Sequence, residues 1–410
     1  MSVIPLACLA LLVQQGRGNY DALMRQCESL IKADDYSQAE AVLRDAVHLR
    51  YTETAMSQLA WVIGRQGRFE ECFELSAKAY VDFGPTAGCC HQYAEAALGL
   101  AEVDIADKVL KEAERRGYHK RTDWLGKNLA SYRKRVDEWG MPSEYELYWD
   151  IPFSAFPTKR PLYLLLPTES TSYQKFSYEV DGAAKVVRTN MAGATFAKIT
   201  PKAGKGIHIR GKAMIWPRAT PPRILKSFQP RRSDKIKSQS IYYYNEEMKL
   251  TNPELRGLSK SIDRSSWYDT SAATLDWIRK NITYGDPPEG NDLEVILRSR
   301  KGICHHISYL YVAMMRSLGY EAYVRGGYVL PDQGEFKDEK SAHGWVTVMM
   351  SDGRSVEMDP QNSSSLIDFS SGSHYLRVYG ADYEGPISNH PEYEGYESIQ
   401  GWGVSGRRIK

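Results

Sequence analysis

A period of about 34 residues in the first third of the chain restricts its fold more tightly than any other feature. DYSQAEAVLRDAV, from Asp35, is followed 33 residues later by RFEECFELSAKAY, from Arg68, and 34 residues after that by EVDIADKVLKEAE, from Glu102. In this frame Tyr36, Phe69 and Val103 align, as do Ala39, Cys72 and Ala106, then Val42, Leu75 and Val109, then Ala46, Ala79 and Ala113. Gln58-Leu59-Ala60 lies over Gln92-Tyr93-Ala94 in the same way, and Pro85 and Gly117 stand where consecutive helices turn. Apolar residues at helical spacing, with small residues recurring where helices cross, make each period a helix pair. One pair cannot bury its own apolar face, so such units persist only when stacked, and about three pairs is near the minimum. Residues 19–141 are therefore expected to form an all-α helical-repeat domain.

Helix pairs of this period resemble tetratricopeptide repeats. The resemblance implies a superhelix whose concave face grips a segment of a partner protein. A spacer that only positions the next domain fits the same residues, and both readings stay open. Ahead of the repeats, VIPLACLALLV (Val3 to Val13) is too short to span a bilayer, so no integral membrane segment is expected. Residues 1–18 read as the core of an export signal without its basic flank, or as a capping helix. The compartment, cytoplasmic or exported, stays open with them.

A net charge of +2 provides no field for nucleic acid, which is not expected as a partner. The densest basic run (Arg223, Lys226, Arg231, Arg232, Lys235, Lys237) lies in a Pro/Ser-rich stretch and reads as a solvated linker rather than a phosphate-binding patch. There are six cysteines and no CxxC pair. Five fall before residue 100 in helical sequence, as small buried apolar residues, while Cys304 stands alone and is expected to be a free thiol.

From Pro142 the pattern changes to short strand-like runs: Tyr145 to Ile151, Pro161 to Leu166, Phe176 to Val180, Ala184 to Arg188, Thr195 to Ile199 and Gly206 to Ile215. Breaks rich in Pro, Gly and Asn separate them, so residues 142–240 are expected to be a β-sandwich ending in a linker from Pro217 to Ser240. Residues 241–410 then open with three helical stretches: one from Asn252-Pro253 with Leu255, Leu258 and Ile262 inward, one over Ser271 to Asn281, and one over Asp292 to Ser299.

The chemistry concentrates between Leu297 and Asn362. Gly302 allows a sharp turn, Cys304 follows at the first turn of a helix, and Ile307, Leu310, Tyr311, Met314 and Leu318 give that helix a buried face ending at Gly319. A thiol at a helix N-terminus meets the positive end of the dipole and unpaired N–H groups, which favour thiolate and supply oxyanion donors. Further on, His343 lies on one strand and Asp359 on the next, with Ser351-Asp352-Gly353 as the turn. A two-residue loop puts His343 and Asp359 on opposite faces. A three-residue loop, with Gly353 left-handed and a bulge, places Val348 opposite Val356 and Val346 opposite Met358, which builds one continuous apolar face. That register leaves Asp359 opposite Trp345 and diagonally beside His343 on the other face. The hydrophobic pattern thus selects the pairing that brings a base to its orienter. Zinc on Cys304, His305, His306 and His343 is not expected, because a second ligand pair is missing and adjacent helical histidines diverge. No other cofactor or metal motif occurs.

KGIC before an apolar helix ending in RSLG, then a strand, HGW and MDP, resembles the transglutaminase-like superfamily, with its papain-like α+β core. The resemblance covers roughly Asn252 to Asn362. It implies Cys304 as nucleophile, His343 as general base and acid, and Asp359 as orienter, with Tyr284 and Trp345 at the oxyanion or substrate wall. The strands around TNMAGATFAKITPKAGKGIHIR are similar to the sandwich preceding such cores. Gly344 and Gln361 stand where members often carry Ala and Thr, and His305-His306 beside the nucleophile is unusual for the family, which leaves substrate preference open. The chain is accordingly expected to be multidomain: a helical-repeat domain, a β-sandwich, and an α+β transglutaminase-like domain. It is expected to act on protein or peptide amides through a thioester, hydrolysing more readily than cross-linking. The alternative is a protein-binding scaffold with an inactive core. The segment after Asn362, polar and rich in Gly and Tyr, carries no functional reading.

Overall fold

The structure, a computed structural model, describes residues 6–361 except 153, 155–161, 168–170, 172, 192–193, 217, 239, 244–245, 288–292, 332–333 and 340–341. Beyond 361 it describes 369–370, 375–379, 396–398 and 403–409. Much of the tail after Asn362 therefore lies outside the described residues. The chain divides into two compact units, Met1–Trp139 and Gly140–Lys410.

The first unit is helical: α1 (Leu6–Lys32), α2 (Tyr36–Leu49), α3 (Glu53–Arg65), α4 (Phe69–Phe83), α5 (Ala87–Gly99), α6 (Val103–Arg115) and α7 (Trp124–Glu138). The three repeated segments are α2, α4 and α6. Their aligned small residues Ala39, Cys72, Ala106, Ala46, Ala79 and Ala113 are all buried, as close helix crossing requires. The caps repeat too, since the Thr52 and Thr86 hydroxyls accept the N–H groups of Ala55 and Cys89 at the starts of α3 and α5. So do the corners: Asp34, Gly67 and Ala101, in the same 33- and 34-residue spacing, hold left-handed φ of 56°, 79° and 58°. The repeat is thus one of backbone turns as well as of side chains. No helix among the described residues is long and apolar enough to cross a membrane.

The second unit begins with the sandwich strands β1 (Ser143–Ile151), β2 (Leu162–Leu165), β3 (Gln174–Asp181), β4 (Ala183–Met191), β5 (Ala194–Pro201) and β6 (Ile207–Ile215), matching the six runs read from sequence. β6 alternates strictly: Ile207, Ile209, Ala213 and Ile215 are buried, and His208, Arg210 and Lys212 face out. Then come β7 (Arg218–Ala219), α8 (Pro222–Leu225), β8 (Ser240–Tyr243), β9 (Glu246–Lys249), α9 (Pro253–Ile262), α10 (Trp267–Asn281), β10 (Thr283–Tyr284), α11 (Leu293–Ser299), β11 (Lys301–Gly302) and α12 (Cys304–Ser317). The chain closes with β12 (Ala322–Val329), β13 (Glu335–Glu339), β14 (Ala342–Met349), β15 (Ser355–Met358), β16 (Phe369–Ser370), β17 (Tyr375–Tyr379), β18 (Tyr396–Ser398) and β19 (Val404–Arg408). A four-stranded sheet, β15-β14-β12-β17, carries α12 on one face. The sandwich consists of β13-β19-β1-β6-β3 and β18-β2-β5-β4.

Three expectations need correction. Residues 142–240 and 241–410 pack as one unit, because β13, β18 and β19 return to the sandwich sheets and Tyr328, Leu376, Val378 and Val404 share a core with Leu147 and Trp149. The basic stretch from Pro217 is no free linker: Leu225 and Phe228 are in the core beneath α12, and Pro230 and Arg232 bridge to Met350 and Tyr320. α10 starts at Trp267 rather than Ser271, because the Ser266 hydroxyl caps the Asp269 N–H and Trp267 and Tyr268 are buried.

The β14–β15 hairpin has the register that the apolar pattern selects, with Val346 opposite Met358 and Val348 opposite Val356. Ser351-Asp352-Gly353 forms the three-residue loop, with Gly353 at φ 88° and its N–H bonded to the Met350 carbonyl. An added Cβ at Gly353 meets nothing closer than 4.0 Å, so only the backbone conformation resists a side chain there. Gly353→Ala is expected to cost about 1 kcal/mol of stability, read from denaturant midpoints, with no loss of burial to explain it.

Candidate active site

α12 begins at Cys304 because Gly302 and Ile303 are extended and the Ile303 N–H is taken by Nδ1 of His306 at 3.2 Å. His306 therefore accepts at Nδ1, and burial, with the neighbouring His305, lowers its pKa to about 4, so it stays a neutral capping side chain. Gly302 is needed here: a Cβ would lie 2.9 Å from the Cβ of His306. Ser308, one turn on, donates to the Gly344 carbonyl at 3.0 Å and fastens α12 to β14.

His343 and Asp359 meet on the hairpin face that the register defines, with Nε2 of His343 2.6 Å from Oδ2 of Asp359. Both are buried. A side-chain hydrogen bond also joins His343 to the Cys304 thiol. Burial alone would raise the Cys304 pKa. Hydrogen bonds with His305 and His343, the His343 charge and the Gly344 N–H outweigh it and bring the thiol down to about 6. Burial likewise works against a charged His343, but Asp359 and Cys304 together raise it to about 9. Between these values the pair is thiolate and imidazolium, and the two titrations belong to the pair rather than to either residue.

Asp359 spends both oxygens. Oδ2 takes His343 and the Tyr375 hydroxyl (2.9 Å), while Oδ1 accepts the Gln361 N–H (3.0 Å). Tyr375 arrives on β17, in the segment after Asn362. Only the buried alternation of Leu376 and Val378 in YLRVY signalled a strand there.

Tyr284 and Trp345 differ from each other. Tyr284 sits on β10, paired in parallel with Gly302, and is 58% exposed. Burial and the nearby Cys304 charge raise its pKa, and the Gln361 side chain bonds its hydroxyl. It thus holds a protonated phenol beside the thiol and open to solvent. Trp345 is 3% exposed, so it does not form a substrate wall. Its indole N–H donates to Glu357 at 2.7 Å, and its ring stacks on His343 and meets Tyr375 edge-on. It shields the His343–Asp359 pair from water instead. Glu357, also bonded by Tyr173 (2.9 Å) and flanked by Arg325 and Arg377, anchors that indole. Its position on the same hairpin face as Trp345 was readable from strand parity.

Among the described residues no cluster of His, Cys, Asp or Glu is arranged to hold a metal ion. A cavity of about 700 Å³ lined by Lys226, Arg232, Trp267 and Glu321 includes none of Cys304, His343 or Asp359, so side-chain geometry and not cavity size marks this site.

A cysteine at a helix N-terminus, facing a strand histidine paired with a carboxylate on the next strand, defines a papain-like thiol site on an α+β core. Residues 256–360 match the family model of the transglutaminase-like superfamily, and the chain carries a transglutaminase-like domain there. Similar solved structures include a protein provisionally named a cysteine protease from Cytophaga hutchinsonii (12% identity, 65% of this chain and 98% of that one, TM-score 0.39). A TPR domain from Aspergillus fumigatus covers 29% of this chain and 80% of its own at 16% identity, TM-score 0.27. A TGase covers 52% and 55% at 15% identity, TM-score 0.22. No curated protein matches the chain. The family match and the thiol geometry together support a cysteine-dependent enzyme.

Proposed function

We propose that the chain is a thiol hydrolase of protein or peptide amides, with Cys304 as nucleophile, His343 as proton carrier and Asp359 as its orienter. The observation that carries this reading is the continuous chain from the depressed Cys304 thiol through His343 to the 2.6 Å bond with Asp359. The thiolate attacks the amide carbonyl carbon, and the C=O π pair moves to oxygen. Backbone N–H groups at the start of α12, with the protonated Tyr284 phenol, would receive that oxyanion. Collapse breaks the C–N bond as His343 passes its proton to the leaving nitrogen. Neutral His343 then takes a proton from water, whose oxygen attacks the thioester, and the C–S bond breaks to restore the thiolate and release a carboxylic acid. A primary amine in place of that water gives a cross-link by the same steps. Water is the acceptor always present, so hydrolysis is the leading reading. The helical repeats support a protein or peptide substrate and a role in gripping a partner.

Wild type and Cys304→Ala incubated with a peptide library and a tagged amine, with products read by mass, test the proposal. Cleaved peptides from wild type alone are the expected result. Tag incorporation would move the reading to transamidation, and no product from either would favour a scaffold.

A further inference from the structure

We propose that His305 is a second imidazole acting on the reacting sulfur, donating a hydrogen bond from Nδ1 to the Cys304 thiolate independently of His343. The proposal rests on reading Cys304 as the nucleophile. Its basis is geometric: Nδ1 of His305 lies 3.7 Å from Sγ of Cys304, within hydrogen-bonding reach for sulfur. Consecutive residues on a helix ordinarily point apart, so this approach needs the ring to be held back toward the helix start. Two contacts are in place to hold it. The His306 ring lies 4.8 Å away at 44°, and the backbone of β14 comes in close at Gly344, where even a Cβ would be 3.4 Å from Cα and Cβ of His305.

The two imidazoles have different duties. His343 is tied to Asp359 and exchanges its proton during the reaction, so its charge is absent in part of the cycle. His305 contributes an N–H that is not transferred. When the thioester breaks and the electron pair returns to sulfur, that N–H meets the returning charge. It also favours thiolate on the acid side, alongside the charge of His343. The other charged and titratable groups around it are Tyr284 on β10, which is coupled to Cys304, Asp286, which bears on Tyr284 and His306, His306 itself against the His305 ring, and Asp359 through His343. His305 and His343 both lower the Cys304 pKa through side-chain hydrogen bonds.

The thiolate population, followed by its ultraviolet absorbance across pH in the full chain, tests this. His305→Ala is expected to move the midpoint up by about one pH unit, roughly tenfold less thiolate on the acid side, while His305→Gln, whose amide can donate, recovers most of it. Far-ultraviolet circular dichroism confirms that each variant is folded, and should His305→Ala not fold, His305→Gln and His305→Leu supply the comparison. A midpoint unchanged without the donor overturns the proposal, as does a shift that Gln fails to reverse. Peptide turnover that survives Cys304→Ala refutes the nucleophile assignment instead, so the two failures are distinguishable.

Discussion

Cys304→Ala is expected to lower kcat/KM for a cleavable peptide by about 10⁴-fold or more while leaving the fold intact. The alanine keeps the helix start, since Gly302, the His306 cap and the Ser308 clamp to Gly344 do not involve the sulfur. What is lost is the attacking electron pair, and no other described cysteine can replace it, because the remaining thiols belong to the helical-repeat unit, where burial raises their pKa values. His343→Ala is expected to cost nearly as much. The double variant should be little worse than either single one, since thiolate and imidazolium act as one unit. Steady-state assays of the three proteins check this, and simple multiplication of the single effects would show two independent contributions instead.

Asp359→Asn is expected to lower kcat/KM by about 10³-fold and to draw the alkaline limb of the pH profile down from about 9. An amide is nearly isosteric with a carboxylate, so the effect comes from losing the charge and the acceptor that hold His343 in its working tautomer, with the hydrogen-bond count adding to it. Asp359 accepts at least three donors, two on Oδ2 and the Gln361 N–H on Oδ1. An asparagine has one acceptor oxygen, so its NH₂ must face either the Gln361 N–H or the His343 and Tyr375 donors. A buried donor left without a partner costs about 1–3 kcal/mol. The sign of the pH shift follows from charge. Asp359 is among the groups that hold His343 protonated above its ordinary range, so removing the charge lets the imidazolium lose its proton at lower pH. In the proposed mechanism the leaving amine takes that proton, so the basic limb is expected to fall. The acid limb, set by Cys304, moves less.

The hairpin shows why part of this site was legible in sequence. Side chains on a strand alternate with period two, so the need to join Val346, Val348, Val356 and Met358 on one face fixed the loop length, and the loop length put Asp359 beside His343. That inference needed no knowledge of chemistry. The repeats were legible for a similar reason: small residues at helix crossings recur at a spacing set by the helix pair. What sequence did not disclose arrives from far along the chain. Tyr375 reaches Asp359 on a strand of five residues, and β19 pairs with β1 from more than 250 positions away, which also removes the expected boundary near residue 240. Short strands of this kind carry too few alternations to fix a register by themselves. Trp345 marks the limit of strand parity. Parity says which side a residue is on, whereas burial depends on what covers that side, here Tyr375 and the Glu357 cluster.

The rate of Cys304 alkylation by iodoacetamide as a function of pH tests the central claim most directly, because it reports the thiolate without assuming a substrate. The expected profile for the folded chain of 410 residues rises with a midpoint near 6 and stays high through neutral pH, and His343→Ala moves the midpoint toward the ordinary thiol range. A midpoint of about 8.5 in the wild-type protein, unmoved by His343→Ala, would contradict the account.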